Sequence, residues 1–299
     1  MITTRTTTAL VATTILLAIY VIAVERQSGP AWRDFSAIPL DDPAEVTVLK
    51  IAGAGTSIML ERKETTPGRD GKQAHLWRMT SPINDRADTE TVDELVAKLV
   101  ELKKLENIDD NVPSDEEMGL GESALRVTIE TDDGELGTIA FGDNAGVVDA
   151  IYARWEDGQP FACWKDAREL AAVPHEALRD TRILAIPVEE MRRLKIRDET
   201  EAALVVDWTK IDDTDRETWM ITKPLSKPAD PKAVQERLSV VANMTALGFI
   251  DNPNGDVAAA FAGPAVRNVS IRRHGERGAV ELRLARSADG KSGFAKVSD

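Results

Sequence analysis

Few side chains in this chain could do chemistry, and their spacing gives them little to do together. The one cysteine, Cys163, lies in the strand-like stretch FACWK. A small thiol in such a stretch is expected to pack rather than to attack, and no histidine is near it in sequence. His75, His175 and His274 show no H-x-x-x-H or related spacing, so no metal site is expected. The acid runs Asp109-Asp110 with Asp115-Glu116-Glu117, and Asp212-Asp213-Thr214-Asp215, lack the alternating ligands and turn glycine of a calcium loop. They read as solvated segments. There is no G-x-S-x-G, no phosphate-binding glycine loop and no G-x-G-x-x-G. The expectation is a chain with no catalytic residues, no cofactor and no enzyme activity. Arg267, Arg272, Arg273, Arg277 and Lys296 form the least acidic stretch. They could meet an anionic partner, or alternate on an exposed strand face.

A second set of residues stands out by repetition. Residues 77–88 read WRMTSPINDRAD and residues 219–230 read WMITKPLSKPAD. At an offset of 142, Trp77, Thr80, Pro82, Ala87 and Asp88 match Trp219, Thr222, Pro224, Ala229 and Asp230. The register continues through Val92/Val234, Val96/Leu238, Leu99/Val241 and Leu105/Leu247, and returns at IYARWED (151–157) against GFAKVSD (293–299). The two tryptophans could stack on a ligand, but a large aromatic within a strand is expected to pack against a helix. The two aspartates could be paired acids, but each sits where a helix N-cap accepts the first free backbone N–H groups.

The elements that must carry these residues follow from period and punctuation. VTVLKIAG (46–53) and SIMLERKE (57–64) predict a hairpin turning at Gly53 and Gly55. LWRMTSP (76–82) predicts a third strand, stopped by a proline that cannot donate to a ladder. Residues 89–106 carry Val92, Leu95, Val96, Leu99, Leu102 and Leu105 at helical spacing, with Asp93 among the charges of the opposite, solvated face. LRVTIE and LGTIAFG flank Asp133-Gly134, a hairpin signal. Strands AIYARWE and PFACWK follow, then a helical stretch over 166–178 broken at Pro174. MRRLKIRDE (191–199) and ALVVDWTK (203–210) open the second unit, which has no counterpart of the strand 161–165 or the helix 166–182. Its sheet is expected to be one strand short at that edge unless another segment or a partner fills it. The predicted class is α+β, with two repeated units, each an antiparallel sheet packed with an amphipathic helix.

Residues 6–24, TTTALVATTILLAIYVIAV, are 19 uncharged residues between Arg5 and Glu25-Arg26. That is close to the roughly 20 a membrane-crossing helix needs. It exceeds the apolar core of a cleaved signal peptide, and no A-x-A site precedes Glu25. A single-pass anchor over 1–26 is therefore expected, then a proline-containing stalk over 27–43, a first unit over 44–185 and a second over 186–299. Formal net charge is −14; the anchor carries a net +1, so the rest carries −15. That acidity opposes nucleic-acid binding, which needs a basic face.

Trp-x-x-Thr-x-Pro followed by Ala-Asp opening an amphipathic helix resembles the bacterial family catalogued as domain of unknown function 4340 (DUF4340). Gly119-Leu120, the strands around Asp133-Gly134, Ile151-Tyr152-Ala153-Arg154 and Leu178-Arg179-Asp180-Thr181-Arg182 share the resemblance. It covers nearly all of 44–184 and, less completely, 187–299, as two tandem copies with the second incomplete. The resemblance implies an N-terminal membrane helix in the bacterial inner membrane and a body in the periplasm. It also implies an association with ABC-type export systems of the gliding-motility kind, with permease or auxiliary subunits as partners. The family has no established catalytic residues to carry over. The expected function is a membrane-anchored, non-catalytic accessory protein. The competing expectation is a periplasmic module that binds an envelope glycan or small ligand in a cleft between the units, lined by Trp155, Trp208 or Trp219.

Overall fold

Alternating apolar residues make β1 (Val46–Gly53) and β2 (Thr56–Thr65) a hairpin, turned at Gly55, whose φ of +81° suits a residue without a Cβ. The computed structural model describes residues 36–53, 55–65, 74–108, 112–146, 148–197, 203–210, 217–263, 266–275, 278–287 and 289–298. They form two compact units that divide between Leu178 and Arg179.

In the first unit β3 (Ala74–Ser81) and β4 (Asp85–Arg86) extend the sheet beyond β2, and β6 (Leu125–Thr131) pairs with the other side of β1. Then come β7 (Gly134–Asn144), β8 (Ala150–Trp155), β9 (Phe161–Trp164) and the two-residue β5 (Glu106–Asn107). The sheet order is β4-β3-β2-β1-β6-β7-β8-β9-β5, with all pairings antiparallel. Helix α1 (Thr89–Val100) lays Val92, Leu95, Val96 and Leu99 into one core with Leu49, Ile51, Trp77, Met79 and Phe141. The short α2 (Asp166–Ala171) packs beside α1 and adds Ala167 and Ala171.

The second unit repeats the pattern. Its strands are β10 (Met191–Arg197), β11 (Ala203–Lys210), β12 (Glu217–Lys223), β13 (Lys227–Pro228), β14 (Arg267–Arg273), β15 (Val280–Arg286) and β16 (Gly293–Ser298). They run β13-β12-β11-β10-β14-β15-β16, matching β4-β3-β2-β1-β6-β7-β8 strand for strand. Helix α3 (Pro231–Ala242) stands for α1, while α4 (Gly255–Ala262) packs on β15. The correspondence reaches irregular details. Register shifts put extra residues at Thr47 and Arg192 in the first strands, and at Thr80 and Thr222 in the third. Such bulges re-aim side chains and increase twist. Ser81-Pro82 and Lys223-Pro224 are both cis.

Antiparallel sheet therefore dominates, and helices are few. Three expectations are corrected. Helix α1 stops at Val100 instead of running to 106. Leu102 is still buried, but its carbonyl accepts from Ala37 N at 2.7 Å, and Leu105 N donates to Ala162 O at 2.8 Å. Pairing with distant segments takes the backbone that the apolar spacing would have continued as helix. The stalk expected over 27–43 ends earlier, because Ala37, Ile38 and Leu40 lie in the first core. Likewise Ile183 N donates to Met244 O at 2.9 Å, and Leu184 and Ile186 lie in the second core, so that unit begins ahead of 186. No helix among the described residues is long and apolar enough to cross a membrane. The expected span 6–24, and 27–35 of the stalk, lie outside the described residues.

Candidate functional site

The repeated motif sits at the same structural place twice. Trp77 and Trp219 are 1% and 5% exposed, so neither ring is open to a ligand. The carbonyl of each accepts from the motif alanine, Ala87 N at 3.0 Å and Ala229 N at 2.9 Å. The Asp88 carboxylate accepts from Thr91 N at 3.0 Å, and that of Asp230 from Lys232 N at 3.0 Å. Both aspartates are N-caps, and Thr80 and Thr222 occupy the bulges before the cis prolines Pro82 and Pro224.

Around Trp77 the structure assembles a polar network. Its indole Nε1–H donates to Asp93 Oδ1 at 2.8 Å, and His75 Nε2 lies 2.9 Å from both Asp93 oxygens. Arg62 Nη2 lies 3.2 Å from His75 Nδ1. Arginine can only donate, so Nδ1 accepts and Nε2–H donates to the carboxylate. Both ring nitrogens are engaged, so the histidine ties β2 and β3 to α1. Sequence reasoning placed Asp93 on a solvated face and missed this. The available signal was His75 and Trp77 two residues apart, hence on one side of a strand. In the second unit Trp208, Glu217 and Gln235 stand where Arg62, His75 and Asp93 do. Trp208 Nε1 donates to Glu217 at 2.8 Å, and its ring meets Trp219 edge-on at 5.4 Å.

The other candidates are structural in their contacts. Cys163 is buried, and burial alone pushes its thiol up to about 12, which removes the thiolate a nucleophile needs. Asp115 accepts two bonds from the Arg154 guanidinium at 2.5 and 2.7 Å, which holds its carboxyl below the usual aspartate range. Glu117 is held low by the Ser114 N–H and hydroxyl. Asp109, Asp110 and 212–215 lie outside the described residues. Among those described, no three His, Cys, Asp or Glu side chains gather as a metal would require. In the stretch Leu178 to Arg182, Arg179 donates to Asp251 at 2.8 Å with its guanidinium 3.7 Å over Phe249, and Asp180 accepts from Arg182 N at 2.9 Å. It is a buried brace at the start of the second unit.

The basic stretch does gather. A pocket of about 260 Å³ in the second unit is lined by Arg192, Trp208, Glu217, Arg272, Arg273, His274 and Gly275. Arg192 occupies the β10 bulge; it donates to the carbonyl of Glu189 at 2.6 Å and lies 5.9 Å over the Trp208 ring. Arg272 reaches toward buried Asp207, 3.9 Å away, which also accepts from Thr222 Oγ1 at 2.8 Å and from Arg193. That pairing raises the Arg193 guanidinium further above its usual range. Arg267 and Lys296 do not line this pocket, and Arg277 lies outside the described residues.

Comparison with curated proteins and with solved structures finds no match. The sequence profile of the family described as domain of unknown function (DUF4340) matches residues 77–261, one stretch that begins at the first motif tryptophan and runs into the second unit. That match covers well over half of the chain, which therefore belongs to the DUF4340 family.

Proposed function

We propose that this protein is a non-catalytic docking platform, tethered by residues 6–24 to the bacterial inner membrane with its body in the periplasm. On this reading each unit is a copy of one ancestral domain, and the partner is a permease or auxiliary subunit of an ABC-type export system. One observation carries the docking reading. In the first unit β9 and the segment before it cover the chain that follows α1: Leu105 N bonds Ala162 O, Ile108 N reaches Pro160 O at 3.4 Å, and Lys98 faces Asp166 of α2 at 3.8 Å. The positions equivalent to Lys98, Leu105 and Ile108 are Val240, Leu247 and Ile250. They are 66%, 107% and 53% exposed, and no strand among the described residues pairs with the outer side of β16. Large apolar residues exposed together on one stretch mark a surface that another protein covers.

The test is co-purification after mild detergent extraction, comparing the natural chain with a Leu247→Asp, Ile250→Asp double variant. Recovery of transporter subunits with the natural chain and their loss from the variant support the reading. Recovery of the protein alone from both would overturn it.

A further inference from the structure

The pocket under the β10 bulge is not required by the fold, because the repeat supplies its own comparison. Strand register aligns Arg192, Trp208, Glu217, Arg272, Arg273, His274 and Gly275 with Thr47, Arg62, His75, Glu130, Thr131, Asp132 and Asp133 of the first unit. The second-unit set holds three arginines and one glutamate, a formal +2 with histidine neutral. The first-unit set holds one arginine and three acids, a formal −2. The same backbone thus carries opposite charge at the same place. The positive version belongs to a chain of net charge −14, where a solvated strand face would be expected to follow the overall sign. A concave site with an excess of one sign of charge draws in groups of the opposite sign.

The lining describes the ligand. Guanidinium forks pair with oxyanions through two oxygens at once. A phosphate monoester carries about −1.5 to −2 at neutral pH and three strong acceptor oxygens, more charge and more acceptors for the guanidinium forks than a carboxylate offers. Trp208 forms an apolar wall, held by its Nε1 bond to Glu217 and its edge contact with Trp219. Glu217 can accept from hydroxyl groups. A pocket of about 260 Å³ is smaller than the roughly 300–1,000 Å³ of drug-sized ligand sites, and so suits a compact ligand. We propose that this pocket of the second unit binds small phosphate monoesters, with Arg192, Arg272 and Arg273 around the phosphate and the organic part against Trp208.

The phosphomonoester can be soluble or the headgroup of a lipid, and the experiment separates these sources. The full chain in detergent is titrated with glucose 6-phosphate by calorimetry. The chain in liposomes is compared with and without phosphatidic acid by the change in tryptophan emission. Saturable glucose 6-phosphate binding identifies a soluble ligand; a response to phosphatidic acid alone identifies the headgroup. In either case Arg272→Ala should weaken binding by roughly tenfold or more, the usual effect of losing a charged hydrogen-bonding partner. Arg272→Lys should restore part of it. Thr47→Ala, at the position of Arg192 in the first unit, should leave it unchanged. A natural chain that responds to neither probe overturns the proposal. So does binding that survives an Arg272→Ala, His274→Ala variant with natural secondary structure. The Leu247→Asp, Ile250→Asp variant should bind the phosphomonoester normally, so docking and pocket fail independently.

Discussion

The strand β9 belongs to the first unit's sheet, between β8 and β5, and Phe161→Ala tests how much depends on it. Phe161 is 0% exposed and belongs to the first core, as does Cys163 on the same strand. Removing a fully buried phenylalanine ring costs about 3–5 kcal/mol. Cys163 reports the consequence, because its thiol is buried and burial pushes it up to about 12, so the native chain should resist alkylation. Once β9 opens, the thiol returns toward the ordinary value of about 8.5 and reacts. With reclosing faster than alkylation, the labelling rate follows the open fraction. The cost then converts to a rate increase of roughly 100- to several-thousand-fold. The assay is alkylation at pH 8 followed by mass spectrometry, beside a denaturant titration. Labelling at the natural rate with an unchanged midpoint would show that β9 is not part of the cooperative first unit, and the contrast between covered and bare surfaces would lose its basis.

Other consequences are smaller or more local. Asp88→Ala and Asp230→Ala should each cost about 1 kcal/mol of stability by losing a helix N-cap, read from shifts in the denaturant midpoint. Gly142→Ala would place a Cβ 2.1 Å from the backbone oxygen of Met118. It should destabilise the first unit by about 1–3 kcal/mol or more, visible as a lower Tm. Asp115 has its carboxyl lowered by Arg154, so its stabilising pairing is fully present above the unfolded value near pH 4. It is lost as pH falls through the lower folded value. Thermal melts from pH 6 to pH 2 should show an acid-side loss that Asp115→Asn reduces; equal slopes in both chains would contradict the pairing.

Much of the fold was legible because its signals were local. The strand 125–131 alternates polar and apolar residues, 46–53 is rich in apolar β-formers, Asp133-Gly134 turns a hairpin, and Asp88 and Asp230 stand ahead of apolar helical faces. The repeat supplied the rest of the architecture, since two stretches in register at one offset imply one fold. What stayed hidden depended on distant pairing. Leu102 and Leu105 continue the helical spacing of α1, yet their backbone is taken by residue 37 and by β9. Ile38 lies in a stretch that reads as linker and becomes core through a bridge of Ser36 with Lys103. The pocket was half visible. Arg272 and Arg273 stood out as basic residues, but Arg192 and Trp208 join them only through the bulge in β10 and the pairing of β11 with β12, neither of which local sequence encodes.

The central claim is that the exposed apolar residues Val240, Leu247 and Ile250 of the second unit meet a partner. It is tested most directly by a photo-crosslinking amino acid at position 247 of the full chain in its native membrane, with position 105 as the control. The account predicts a crosslink from 247 to a subunit of an export system, and from 105 only to the chain's own β9. An intrachain product alone from 247, or none, would contradict it.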